Sequence, residues 1–225
     1  MPRPIIGVTG GELDVERQQK QHALRAALHA AGCVPILLRP GEGTAALQRV
    51  HGLVLPGGGD IDPRRYGEEP TAEIRDVDPE REDLEIELAR EAVAQGMPAL
   101  GICLGLQVMT VALGGTLHQH VEGHDGASHE VRLDPGSTLA RMLGTTSLAT
   151  SSSHHQAPKD LPALLNATAR TADGVIEAVE GPGFTIGVGW HPETEPDTSA
   201  SKRLLEAFVR AAAEHAAKAG PGHVK

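Results

Sequence analysis

Apolar residues come in short runs along this chain, separated by longer stretches of mixed polarity. Residues 5–8, 34–38 and 52–55 are brief aliphatic runs of the kind that form buried strands. Between the first two, residues 15–31 predict a helix ended by Gly32. Asp78 and Pro79 supply an N-cap and a first-turn proline for a second helix running to Gln95. Leu84, Leu88 and Ala92 lie on one face of it. Residues 97–102 form the next apolar run and lead into a helical stretch at 108–113. Strands alternating with helices at this spacing predict an α/β fold, a three-layer doubly wound sheet that is mostly parallel. Beyond Gly115 the pattern changes to strands joined by short turns, at 116–121, 130–133, 147–150, 167–171, 174–179 and 184–190. Antiparallel additions to the sheet are therefore expected. Residues 201–218 predict a closing helix with Leu204, Leu205, Phe208, Val209 and Ala212 inward. Residues 1–220 are expected to form one domain, and 221–225 a frayed tail.

The chain has 225 residues, enough for one α/β domain with a full core. Aromatic residues make up only 2%, so the core must be aliphatic. A formal net charge of −10 argues against nucleic acid and anionic membrane as partners. Many of the carboxylates fall within residues 68–91, which read as a solvated loop and helix face. The N-terminus runs straight into a strand, with no signal peptide and no apolar run of membrane-spanning length. A cytoplasmic, reducing setting is expected, and the two cysteines, Cys33 and Cys103, are not expected to pair. Cys33 reads as a small buried residue.

Cys103 is different. The run Gly101-Ile102-Cys103-Leu104-Gly105-Leu106-Gln107 sits where a strand gives way to a helix. A nucleophile between glycines at such a junction is a nucleophile elbow, here with sulfur. The helix N-terminus beside it favours the thiolate. A thiolate needs a base, and the base an orienting group. His191-Pro192-Glu193 follows a strand at its carboxyl end, where sites form in α/β sheets. His191 could exchange the proton and Glu193 could hold the ring. A glycine-rich turn, Leu55-Pro56-Gly57-Gly58-Gly59-Asp60, closes another strand. Its free N–H groups suit an oxyanion, with Gly58 or Gly59 and Leu104 as the candidate donors.

These motifs resemble those of the class I glutamine amidotransferase-like superfamily, and within it the gamma-glutamyl-gamma-aminobutyrate hydrolase family of cysteine peptidases. The likeness is carried by residues 55–63 with Tyr66-Gly67, by 101–107, by 112–117, by Ser153-His154-His155-Gln156-Ala157 and by Gly189-Trp190-His191-Pro192-Glu193. It implies a flavodoxin-like amidotransferase architecture and a triad of Cys103, His191 and Glu193. It also implies hydrolysis of a γ-glutamyl amide to glutamate and an amine, without metal or organic cofactor. Gln107 would help hold the glutamyl group, and His155 and Gln156 would line the pocket. The partner is then a small γ-glutamyl substrate, and a homodimer stays open. The chain departs from the family pattern in having no tyrosine at 18–22, serine at 151 and glycine at 189. The amine on the far side of the bond is therefore not implied.

Three other readings compete. The chain could be a glutaminase subunit feeding ammonia to a synthase, although the segment Gly58-Gly59-Asp60-Ile61-Asp62-Pro63 with Tyr66 looks like the stand-alone hydrolases. It could be a catalytically inactive binding homologue, against which the intact triad speaks. It could bind metal through His118, His120, His124 and His129, with His118 and His120 on one strand face. No carboxylate or second cysteine completes that last set, and no metal is expected.

Overall fold

The structure, a computed structural model, describes residues 3–10, 15–196 and 198–219. The expected tail at 221–225 lies outside the described residues.

Among the described residues, eleven strands and five α-helices follow one another as β1 (Ile5–Thr9), α1 (Val15–Ala30), β2 (Val34–Leu38), β3 (Gly52–Leu55), α2 (Pro79–Ala94), β4 (Ala99–Ile102), α3 (Leu104–Ala112), β5 (Leu117–His118), β6 (Asp125–Leu133), α4 (Thr138–Leu143), β7 (Ser147–Ser153), β8 (Ala157–Pro158), β9 (Asn166–Arg170), β10 (Ile176–Gly181), β11 (Thr185–Val188) and α5 (Ser199–Ala219). Nine strands form one sheet in the order β2-β1-β3-β4-β11-β10-β9-β6-β7. From β2 to β11 every neighbouring pair is parallel. From β11 onward every pair is antiparallel.

The parallel half follows from the sequence pattern, because a parallel neighbour needs a crossover and the helices supply it. Side chains alternate between the two faces. Ile6, Val8, Val54, Leu100 and Ile102 pack with Leu24, Leu28, Leu204 and Phe208 on one side. Leu53 and Leu55 pack with Leu84, Leu88, Val108 and Met109 on the other. The sheet is thus the middle of three layers. Cys33 is fully buried, and its thiol donates to the Leu28 carbonyl at 3.1 Å. Among the described residues no helix is long and apolar enough to cross a membrane.

Two elements differ from expectation. The strand expected over 116–121 is only the two residues of β5, paired with β8 in a separate small sheet. Beyond it, Val121 N–H turns back to the His155 carbonyl at 2.7 Å, which ends the ladder. Helix α4 carries no clear periodic signal because it spans little more than a turn. Ser137 caps it by accepting from the Ala140 N–H at 2.9 Å.

The acidic segment 68–91 also differs. Asp78 does cap α2, accepting from Arg81 N–H at 3.1 Å. Yet Arg81, Glu82 and Glu85 are buried instead of solvated. Arg81 Nε donates to Glu85 Oε1 at 2.8 Å, one helical turn away. Its Nη2 donates to the carbonyls of Pro56 at 2.8 Å and Gly57 at 3.2 Å. Thr9 Oγ1 donates to Glu85 at 2.5 Å. Glu82 accepts from Asp62 N–H at 2.7 Å and from Arg65 Nε at 2.8 Å. Charge that reads as surface polarity along the sequence is an internal clamp on the glycine-rich turn. Removing Arg81 would strand a buried carboxylate. Arg81→Ala is therefore expected to destabilise the fold by about 3–5 kcal/mol. Urea unfolding checks this, and a loss below about 1 kcal/mol would deny the clamp.

Candidate active site

The site is built at the carboxyl ends of β3, β4 and β11. Cys103 lies between β4 and α3 with φ 52° and ψ −104°. A side chain in that backbone region costs about 1–3 kcal/mol, so its surroundings must hold it there. Its N–H donates to the Val188 carbonyl at 2.8 Å, and its carbonyl accepts from Leu106 N–H at 3.0 Å. The flanking glycines are required by space. A Cβ on Gly105 would stand 2.0 Å from the Leu55 carbonyl oxygen, and one on Gly101 would stand 2.5 Å from the Gly105 backbone. The elbow is therefore pressed directly onto β3.

His191 follows β11 and faces the thiol. Its Nδ1–H donates to Glu193 Oε1 at 2.6 Å, with Glu193 buried. That bond leaves Nε2 on the cavity side, 3.2 Å from Ser153 Oγ, with Cys103 as the charged neighbour of the ring. Burial alone would push the Cys103 thiol up, but the His191 imidazolium outweighs it and holds the thiol below its ordinary value. Burial likewise opposes charge on His191, and the Cys103 thiolate together with Glu193 overcomes it, raising the imidazole. Both directions favour a thiolate–imidazolium pair. At Cys33 burial dominates and pushes the thiol up to about 11, with the Arg3 charge opposing it only in part.

A cavity of about 430 Å³ opens over the pair, and its lining includes Gly57, Gly58, Gly59, Cys103, Gln107, His155, Gln156, His191 and Glu193. Of the residues expected to form the triad, the oxyanion hole and the substrate contacts, all but Leu104 line it. Leu104 is the first residue of α3, and its Cδ2 would lie 2.5 Å from a Cβ on Gly58. The Leu104 side chain therefore packs against Gly58. Gly59 is instead pressed on Asp76, whose carbonyl oxygen would be 2.2 Å from its Cβ.

The remaining pocket residues brace one another. Gln107 Nε2 donates to the Gln156 carbonyl at 2.9 Å, while its Oε1 is buried and has no hydrogen-bond partner among the described residues. The Gln156 amide pairs with the Ile61 backbone, accepting from N–H at 2.8 Å and donating to the carbonyl at 3.1 Å. His155 Nε2 meets both oxygens of Asp60 at 2.8 and 2.9 Å. Gln156 and His155 thus tether the glycine-rich turn from the opposite side to Arg81. Sequence reasoning did not pick out His154 and Arg81, which also line the cavity. His154 stood in a quoted motif. Nothing local marks Arg81, whose role exists only through burial. Gly189, a departure from the family pattern, is explained by packing, since a Cβ there would lie 2.3 Å from Glu177 Oε2.

Residues 4–193 match the Peptidase C26 family. A Mycobacterium tuberculosis protein provisionally named a glutamine amidotransferase is 37% identical over 96% of this chain and 77% of its own length. The gamma-glutamyl-gamma-aminobutyrate hydrolase PuuD of Escherichia coli K12 is 32% identical over 97% of both chains. Among solved structures, the glutaminase domain of Trypanosoma brucei CTPS superposes with a TM-score of 0.70 over 94% of both chains at 18% identity, a likeness of fold.

The two thiols should separate in reactivity. Iodoacetamide at a pH about 1.5 units below the ordinary thiol value of about 8.5 should label Cys103 in the folded chain and leave Cys33 untouched. Peptide mass mapping reads the result. Equal labelling would contradict the depressed thiol at Cys103.

Proposed function

The chain belongs to the Peptidase C26 family of class I glutamine amidotransferase-like enzymes, and on that premise we propose that it hydrolyses γ-glutamyl amides to glutamate and an amine. The observation that carries this reading is His191, bonded through Nδ1 to Glu193 and acting as charge partner to a thiol held on a strained elbow.

The Cys103 thiolate attacks the γ-carbonyl carbon, and the carbonyl π electrons move to oxygen. The N–H groups of Leu104 and of Gly58 or Gly59 receive that oxyanion. Each such donor lowers the barrier by about 3 kcal/mol. His191 Nε2–H protonates the departing amine as the C–N bond breaks, leaving a γ-glutamyl thioester on Cys103. Neutral His191 then takes a proton from water, whose oxygen attacks the thioester. Glutamate leaves, and the thiolate–imidazolium pair is restored. Glu193 keeps the ring in the required tautomer throughout. Gln107 Oε1, buried without a partner, is suited to accept from the glutamyl ammonium. His155 and Gln156 act on substrate indirectly, by fixing the turn that carries Gly58 and Gly59. In this reading residues 1–220 act as one hydrolase unit, and the chemistry needs no cofactor.

A second reading follows from the provisional amidotransferase name of the M. tuberculosis relative. There the chain would release ammonia from glutamine for a partner synthase. Purified chain should release glutamate from γ-glutamyl amines much faster than from glutamine. Activity on neither substrate alone, restored only by a partner, would favour the second reading.

Cys103→Ala and His191→Ala should each reduce kcat by about 10⁶-fold, and Glu193→Ala by about 10⁴-fold, because Glu193 orients the ring while His191 transfers the proton. Single-turnover glutamate release with circular dichroism as a fold check decides. A Glu193→Ala loss equal to that of His191→Ala would count against these roles.

A further inference from the structure

Behind the catalytic cavity lies a second constellation that the hydrolytic chemistry does not use. Glu177 on β10 is buried, and its Oε1 is approached from three sides. His124 Nδ1 lies at 3.2 Å, His154 Nε2 at 3.3 Å and His129 Nε2 at 3.4 Å. His124 and His154 are buried as well, and potential ligand atoms of His124, His154 and Glu177 all lie within 4.8 Å of one another. Glu177 Oε2, His154 Nε2 and His129 Nε2 have no aligned hydrogen-bond partner among the described residues.

The outer contacts of the same rings are well formed. His154 Nδ1 faces the Gln156 carbonyl at 3.0 Å, and His124 Nε2 faces Asp173 Oδ2 at 3.0 Å. A carbonyl and a carboxylate only accept, so both of those nitrogens carry hydrogen. By the same rule His124 Nδ1 donates to Glu177 Oε1 at 3.2 Å, so His124 carries hydrogen on both nitrogens while no metal is bound. His154 Nε2, His129 Nε2 and Glu177 Oε2 are left without an aligned partner among the described residues. A divalent cation at the centre would displace the inner His124 proton and use the free lone pairs of His154 and Glu177.

The spacing fits such an ion. Bonds of about 2.0–2.1 Å in a tetrahedron place ligand atoms about 3.3–3.4 Å apart. The nitrogen-to-Glu177 separations are close to that, and the ligand atoms of His124, His154 and Glu177 all stay within 4.8 Å of one another. Metal-bound histidines characteristically donate their outer N–H to a carboxylate or a backbone carbonyl, as His124 and His154 do. Imidazole nitrogens with one carboxylate suit zinc and its borderline neighbours, not magnesium or calcium.

We propose that His124, His154 and Glu177 form a site for a divalent transition-metal ion of the zinc class, with an open fourth position. The site is distinct from the catalytic triad and clips the start of β6, the end of β7 and β10 together behind the cavity. His154 also lines that cavity, which offers the ion a way in. Gly189 packs against Glu177, so the clip bears on the segment that carries His191.

The test uses full-length chain carrying Cys103→Ser, so that no active-site thiolate can hold the metal. After chelator treatment and dialysis it is titrated with Zn²⁺ by calorimetry and with Co²⁺ by visible spectroscopy. One equivalent of Zn²⁺ with a Kd below about 1 μM is expected, with an intense Co²⁺ d–d band of a tetrahedral N/O site. His124→Ala and Glu177→Gln should each weaken Zn²⁺ at least about 100-fold, Asp173→Asn about 10-fold, and His118→Ala not at all. Absence of stoichiometric uptake would overturn the proposal, as would uptake insensitive to His124→Ala and Glu177→Gln. Should those variants fail to fold, the Co²⁺ spectrum of the otherwise intact chain decides alone, because a weak six-coordinate spectrum rejects the site.

Discussion

The contact between Gly105 and the Leu55 carbonyl oxygen governs the catalytic half of this molecule. With no room for even one methyl group there, α3 is pressed against the end of β3. That approach forces the sharp turn before α3, and Cys103 absorbs it at φ 52°. The strain is balanced by bonds on both sides of the residue, to Val188 and from Leu106. The Leu104 side chain, at the start of the same helix, packs against Gly58 of the glycine-rich turn. A site on strand ends and a helix start is stiffer than one on free loops, which suits chemistry that depends on short distances.

The glycine-rich turn depends on a different kind of force. Residues 57–59 have no side chains with which to anchor themselves, so other residues do it for them. Arg81 grips the carbonyls of Pro56 and Gly57, Gln156 brackets Ile61, and His155 and Arg75 N–H hold Asp60. Burial pushes the Asp60 carboxyl up, while the hydrogen bond from Arg75 N–H and the neighbouring His155 oppose that shift. Polar groups buried in this way stabilise little on balance unless all are satisfied, yet losing one is costly. Their effect is to define one conformation for a turn that its own sequence leaves free.

The histidine-lined region around Glu177 follows the same logic. His124 just before β6, His129 within β6, His154 just after β7 and Glu177 near the start of β10 are brought together by the antiparallel half of the sheet. The buried Glu177 carboxylate is approached by all three rings, and His154 Nε2, His129 Nε2 and Glu177 Oε2 remain without an aligned partner among the described residues. The parallel half of the sheet thus carries the nucleophile and its base, and the antiparallel half carries the proposed clip that backs them.

Much of this was legible in the sequence. The runs at 5–8, 34–38 and 52–55, the Asp78 cap and the inward face of α5 are local signals, and local periodicity reports which face of an element is buried. The elbow glycines and the His191-Pro192-Glu193 step were legible for a similar reason, because each concerns residues adjacent in the chain. What the sequence left open needed contact between distant segments. His124 meets Glu177 across 53 positions, and a carboxylate absent from the local histidine run is supplied by another strand. Arg81, Glu82 and Glu85 look like surface charge until the glycine-rich turn folds over them. Spacing along a chain specifies which way a side chain points within its own element. Only packing decides which charges lose their water and which partners must then replace it.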